Sequence, residues 1–173
     1  VESVRPKAEI SGRATALLRL TPLGLALAGL LLGHDPAEPL LDRLLARHKS
    51  PEHVLLNLEA ADLLRAAGGE VDLFPAPVTL AGGGILDVDL LWLVDGQVRY
   101  VECERHTRKD APRRAVKWAN LAEATEDFWI VTPDPTAQKA LISELTVWAL
   151  RGHYKITLHV TNLARASPEK PWL

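Results

Sequence analysis

Residues 87–104 read DVDLLWLVDGQVRYVECE, two β-rich runs on either side of Asp95-Gly96. That dipeptide is the strongest short signal for a two-residue hairpin. A turn centred there leaves no freedom of register, because paired residues must sum to 191 (95 + 96). Leu93 is then opposite Val98, Leu91 opposite Tyr100, Asp89 opposite Glu102 and Asp87 opposite Glu104. The two-residue side-chain period puts all eight on one face of a sheet. The face is apolar near the turn and carries four carboxylates at its far end. Like charges directly opposite one another destabilise a ladder, so a positive partner is expected among them, with protonation or splaying into water as the alternatives. A divalent cation that prefers oxygen ligands, Mg²⁺ or Mn²⁺, is the economical partner.

The rest of the chain frames this hairpin. At 173 residues it suits one domain, or one domain with a small appendage. Hydrophobic residues at 47% and charged residues at 24% fit a folded soluble protein. The single cysteine, Cys103, excludes a disulfide framework and fits a reducing cytoplasm. Residues 1–11 show no pattern and 13–20 read as a short strand. The uncharged run 20–33 is too short to span a bilayer. Thr21-Pro22 starts a helix there, expected to be a soluble core helix, with a secretory hydrophobic region as the alternative. A further helix is expected at about 38–48. Ser50-Pro51 opens a helical run to Ala67 that Gly68-Gly69 stops. Residues 70–80 read as a strand that Pro75 and Pro77 confine to an edge or a bulge, and Gly82-Gly83-Gly84 reads as a turn. Beyond the hairpin come a helix at 111–124, a strand at 127–132, a helix from Asp134-Pro135 to Gly152 and a strand at 154–160. Trp118, Trp129 and Trp148 are expected in the core, and Trp92 on the sheet face opposite the acids. This order argues for an α/β fold with a mixed sheet.

A helix, a meander with an acid on its second strand and an E-x-E pair on its third, then helix and strand, resembles the PD-(D/E)XK nuclease superfamily over residues 50–160. Val88-Asp89 matches that superfamily's Pro-Asp, and Glu102-Cys103-Glu104 its third-strand motif. More narrowly, LTPLG, EHVLLNLEAADLL and VECERHTRKD resemble the replication-relaxation family of mobile elements. The resemblance implies a restriction-endonuclease-like core at 49–173 (helix, three-stranded meander, helix, strand, helix, strand). It implies an N-terminal helical segment at 1–48 that is a winged-helix remnant. It also implies that Asp89, Glu102 and the carbonyl of Cys103 hold the metal, with catalysis by Asp89, Glu102, Glu104 and Lys117. The superfamily's third-strand lysine is replaced here by Glu104. Either a lysine reaches in from the next helix, Lys117 before Lys109, or the site binds metal without cutting. Asp87 and Glu59 are further candidates for the metal shell, and His53 and Asn57 stand one turn apart on the helix that carries Glu59.

The net charge of −2 does not advertise nucleic-acid binding, so that role would rest on a local patch. Arg105, Arg108, Lys109, Arg113, Arg114 and Lys117 supply one within thirteen residues. A solvated helix flank is the plain alternative. There is no HExxH, GxSxG or dinucleotide-binding glycine fingerprint. Two functions therefore stand side by side: a metal-dependent enzyme hydrolysing DNA phosphodiester bonds, and a non-catalytic DNA-binding or interaction module of a replication or mobile-element protein. DNA is the expected partner of either, no membrane partner is expected, and a homodimer is an oligomeric option.

Overall fold

A computed structural model describes residues 1–4, 17–106 and 111–172, with the chain divided into two compact units, Val1–Leu55 and Leu56–Leu173. In the first unit β1 (Glu2–Val4) pairs antiparallel with β2 (Leu17–Arg19), followed by α1 (Pro22–Leu32) and α2 (Leu40–His48). The first residues are thus a strand rather than a loose lead. Thr21 caps α1 by accepting the Gly24 N–H at 3.1 Å, and Gly33 ends it in the left-handed region at φ 73°. The expected core helix is not one: none of α1's residues is buried, and Leu30 and Leu31 are 79% and 88% exposed. No helix among the described residues is long and apolar enough to cross a membrane. His53, at the start of α3 (Pro51–Ala66), stacks its ring on His48 at 4.7 Å.

The second unit is built on a mixed five-stranded sheet. Its strands are β3 (Glu70–Asp72), β6 (Leu90–Val94), β7 (Gln97–Cys103), β8 (Asp127–Thr132) and β9 (Thr157–Asn162), in that spatial order. The first three form an antiparallel meander, while β7, β8 and β9 run parallel, joined through α4 (Ala111–Ala124) and α5 (Pro135–Gly152). The expected strand over 70–80 is split. After β3 the Asp72 carboxylate accepts the Phe74 N–H at 2.7 Å and turns the chain. Prolines 75 and 77 offer no N–H to a ladder, and β4 (Val78–Thr79) pairs instead with β5 (Ile85–Leu86) around the Gly82–Gly84 turn.

The hairpin register is the one that Asp95-Gly96 dictates: Leu93 pairs with Val98 and Leu91 with Tyr100. Asp95 and Gly96 both have positive φ, 52° and 72°, the conformation a type I′ turn needs. The ladder stops earlier than expected, at Leu90 opposite Val101. Asp87 and Asp89 precede β6 and Glu104 follows β7, so the two acid pairs are not ladder partners. Tyr100 and Glu102 do share a face by alternation.

That face carries α4 and α5. Trp118 and Leu121 from α4, Leu141 and Leu145 from α5, and Phe128, Ile130 and Val160 from the strands form the core between them. Trp118 is fully buried, and Trp148 packs on the core's rim, its ring stacked on Tyr154 at 4.3 Å. Tyr154 is thereby held out of β9, which begins at Thr157 rather than 154. Trp129 leaves the expected core too: one residue out of phase with Phe128 and Ile130, it lies on the opposite face with Trp92.

Gly69 enters β3 at φ 98°, and a Cβ there would sit 2.3 Å from the Leu93 carbonyl oxygen. Gly68 has φ 106° but open space around it. Gly69→Ala should therefore destabilise the protein by at least about 2 kcal/mol, and Gly68→Ala by visibly less. Denaturant melts of the two variants check this; equal losses would mean that backbone conformation, not the close approach, is what Gly69 provides.

Candidate active site

The polar residues that the fold draws together stand at the C-terminal end of β7, the first of three parallel strands. In open α/β sheets this is the end where sites form. Asp89 is delivered by the segment entering β6, and Glu102 and Glu104 by the end of β7. From α4 come Arg114, Lys117 and Trp118, whose i, i+3, i+4 spacing puts them on one side of the helix. α5 contributes Glu144 and the turn after β7 contributes His106.

Asp89 is 9% exposed and its Oδ2 accepts the Cys103 N–H at 2.8 Å. A buried carboxylate needs donors, and a backbone amide on the neighbouring strand supplies one. This explains why Asp89 leaves the ladder. Glu102 is 1% exposed, and its Oε2 lies 2.9 Å from the Lys117 ammonium. The other oxygen, Oε1, is buried with no hydrogen-bond partner among the described residues. Lys117 also reaches Glu104 at 3.3 Å and stands 5.1 Å from the centre of the Trp118 ring. Glu104 accepts the His106 N–H at 3.1 Å and lies 4.0 Å from Arg114.

Arg114, 3% exposed, is gripped by Glu144 through Nε at 2.9 Å and Nη2 at 2.6 Å. Such a two-point guanidinium–carboxylate pair is among the stronger polar contacts. Glu144 also accepts from Trp118 Nε1 at 3.3 Å and lies 3.1 Å from His106 Nε2. The result is a chain of alternating charge: Glu144, Arg114, Glu104, Lys117, Glu102, with Asp89 beside its last member.

The protonation of this chain follows from burial and charge. Burial raises the Glu102 carboxyl, Lys117 opposes that rise and Asp89 reinforces it, leaving a value of about 8. For Lys117, burial works downward but is outweighed by Glu102, Asp89 and Glu104, so the ammonium is held charged. Burial works upward on Glu144, yet the hydrogen bonds from Arg114 and Trp118 and the nearby charges of Arg114 and His106 bring its value down. Burial raises the Cys103 thiol well above its usual range, with Asp89 and Glu102 adding to it, so Cys103 is an inert core residue.

The chain resembles no protein with which it was compared: no family model, curated protein or solved structure matches it.

Of the residues singled out in the sequence, Asp89, Glu102, Cys103, Glu104 and Lys117 come together. Asp87 is exposed, and Glu59 is half-buried along α3. The basic cluster divides. Arg113 is exposed and Arg105 half-buried, whereas Arg114 is enclosed and taken by Glu144 rather than offered to solvent. Arg108 and Lys109 lie outside the described residues. Sequence reasoning missed Glu144 and His106. The signal for Glu144 was its phase: it stands between Leu141 and Trp148 on the stripe that α5 turns toward the core, where an acid must find a partner.

The donor set can be tested for a cation. Asp89, Glu102 and Glu104 offer hard oxygen atoms of the kind Mg²⁺ takes, and Glu102 Oε1 is buried with no hydrogen-bond partner among the described residues. These oxygen donors fit a divalent ion by chemistry.

Glu144→Gln should destabilise the protein by about 3 kcal/mol at pH 7, because it removes the charged carboxylate that grips the enclosed Arg114 guanidinium at two points. Since Glu144's value is lowered on folding, its contribution is complete above the ordinary value of 4.5 and lost as pH falls through the folded one. The stability gap between parent and variant should thus narrow below about pH 4.5. Chemical denaturation across that range measures it; a gap that stays constant would show that Glu144 acts through packing rather than charge.

Proposed function

We propose that this protein is a metal-dependent phosphodiesterase acting on DNA, with a restriction-endonuclease-like catalytic unit. The observation that carries this reading is Lys117 at 2.9 Å from Glu102 and 3.3 Å from Glu104. A cation from α4 thus lies against the strand pair whose own lysine position is occupied by Glu104. Asp89 and Glu102, with the Cys103 carbonyl, would hold a divalent ion. When bound, that ion would polarise a phosphoryl oxygen and acidify a water.

The protein's own groups have separate tasks. Lys117 offers charged N–H donors for a phosphate oxygen and for orienting the attacking water, the positioning that governs such displacements. Glu104, with hydrogen bonds or ion-pair contacts from His106 N–H, Arg114 and Lys117, positions the ammonium rather than accepting a proton. Arg114 and Glu144 secure Glu104 in turn. Exposed Arg113 is suited to a backbone phosphate.

A non-catalytic DNA-binding module is the second reading. It is favoured by one observation: Lys117 is already engaged by Glu102 and Glu104, as in a closed structural cluster.

Nicking of supercoiled plasmid in millimolar Mg²⁺ or Mn²⁺, paired with melting curves in metal and in chelator, separates the two. An ion that binds only the folded form raises stability as its concentration grows. The parent should cut DNA and melt higher in metal. Asp89→Asn with Glu102→Gln should lose both responses. Lys117→Gln should lose cutting, by about a hundred-fold or more, while keeping the metal-induced rise in melting temperature. Metal stabilisation without cutting would support the binding module, and no response to metal in the parent would end the enzymatic reading.

A further inference from the structure

On the sheet face away from α4 and α5, three side chains from three adjacent parallel strands form one continuous stack. Trp129 of β8 lies parallel to His159 of β9, their centroids 3.7 Å apart and their planes 6° from coincidence. On its β7 side the Arg99 guanidinium stands 4.3 Å from the Trp129 ring centre, and 4.8 Å from that of Trp92. The ladder explains the alignment: Trp129 pairs directly with His159 and with Val101, and Arg99 shares a face with Val101. Arg99 and His159 come from opposite sides of β8, so both faces of Trp129 are taken. Trp172 from the C-terminal segment abuts Trp129 edge-on at 4.9 Å.

The stack therefore runs across the strands and ends at β9, the last strand of the sheet. Its final member is the imidazole of His159, with a side chain 30% exposed. The ring is not loose, because its Nε2 lies 3.2 Å from Asp127 Oδ1. An aromatic face that is oriented, partly exposed and backed by a tryptophan and a guanidinium has a definite chemical preference. It suits another flat π-system at stacking distance. The Asp127 carboxylate beside it is 56% exposed and accepts hydrogen bonds only, so it suits an exocyclic amine and disfavours an anion at that point.

We propose that the outer face of His159 is a stacking platform for an unpaired nucleobase of single-stranded nucleic acid. A flat ring carrying an amine, adenine or cytosine for example, extends the stack by one layer and donates its amine to Asp127. Its sugar–phosphate chain continues past the sheet edge. Base-on-aromatic stacking is itself tolerant of sequence, and the Asp127 acceptor adds a preference for amine-bearing bases. The platform lies on the opposite sheet face from Glu102 and does not depend on whether the carboxylate site cuts DNA.

The test is run in chelator, where hydrolysis plays no part. Binding of a short labelled oligodeoxyadenylate is compared by anisotropy with an abasic strand of equal length and charge, and with adenosine monophosphate. The parent should bind the adenylate strand about ten-fold tighter than the abasic one, with quenching of tryptophan fluorescence. His159→Ala should remove that difference, and His159→Phe, which keeps the flat face, should retain it. Equal affinity for adenylate and abasic strands in the parent overturns the proposal without any variant. So does a difference that survives His159→Ala, or failure to bind either strand. Adenosine monophosphate binding as tightly as the strand would overturn the single-strand assignment in favour of a free nucleotide.

Discussion

Lys117 is the contact on which the second unit's polar architecture depends. Its ammonium is the only cation within salt-bridge distance of Glu102 among the described ion pairs, and Glu102 is almost fully enclosed. A carboxylate so placed is expensive to ionise, which is why its value climbs to about 8. Around this pair each further charge is set by the one before it. Lys117 draws in Glu104, Glu104 faces Arg114, and Arg114 is fastened to Glu144. Through these links α4 and α5 are fixed in rotation over the sheet, since a shift of either helix would break a buried pair. Apolar packing alone would fix that rotation less sharply, because side chains of similar volume can substitute for one another.

The elements most legible in the sequence were those governed by local chemistry. Asp95-Gly96 set the hairpin register to the residue because both positions adopt positive φ. Asp134-Pro135 marked the start of α5 because the carboxylate accepts the Thr136 and Ala137 N–H groups. The failures share a different cause. Asp89 was extrapolated along the ladder, but a buried acid follows its donor, here the Cys103 amide, rather than strand periodicity. Trp129 was expected in the core, whereas alternation from Phe128 sends it to the other face. Arg114 and Arg113 are neighbours in a basic run, yet a helix turns them about 100° apart, so one is enclosed and the other solvated. Glu144 lies thirty residues from Arg114, and no local rule joins them.

The two faces of the sheet are specialised in opposite senses, and strand alternation alone achieves it. On β7, Glu102 points toward the helices, while Arg99 points to the aromatic face. On β8, Phe128 and Ile130 fill the core as Trp129 stacks outward between Arg99 and His159. Cation and anion are thus sorted onto separate faces of one strand. A one-residue slip of β7 would exchange them, burying Arg99 among Phe128 and Ile130 and removing Glu102 from Lys117. Such a slip is penalised on both faces at once, which makes the parallel register as tightly specified as that of the hairpin.

Stability does not account for the carboxylate cluster. An enclosed ion pair returns little beyond its own desolvation, and hydrophobic residues of like volume often serve as well or better. Glu102 is the clearest case: one oxygen pairs with Lys117, while the other is enclosed without a hydrogen-bond partner among the described residues. An unsatisfied buried acceptor costs about 1–3 kcal/mol, a large part of the margin by which domains stay folded. Leucine or glutamine could occupy the position without the charge, since Ile130 and Val160 lie beside it in the same row of the sheet. Residues that break the local rules of packing mark places where folding yields to another requirement. Here the broken rule is an enclosed carboxyl oxygen with no hydrogen-bond partner among the described residues, at the end of the sheet where sites form.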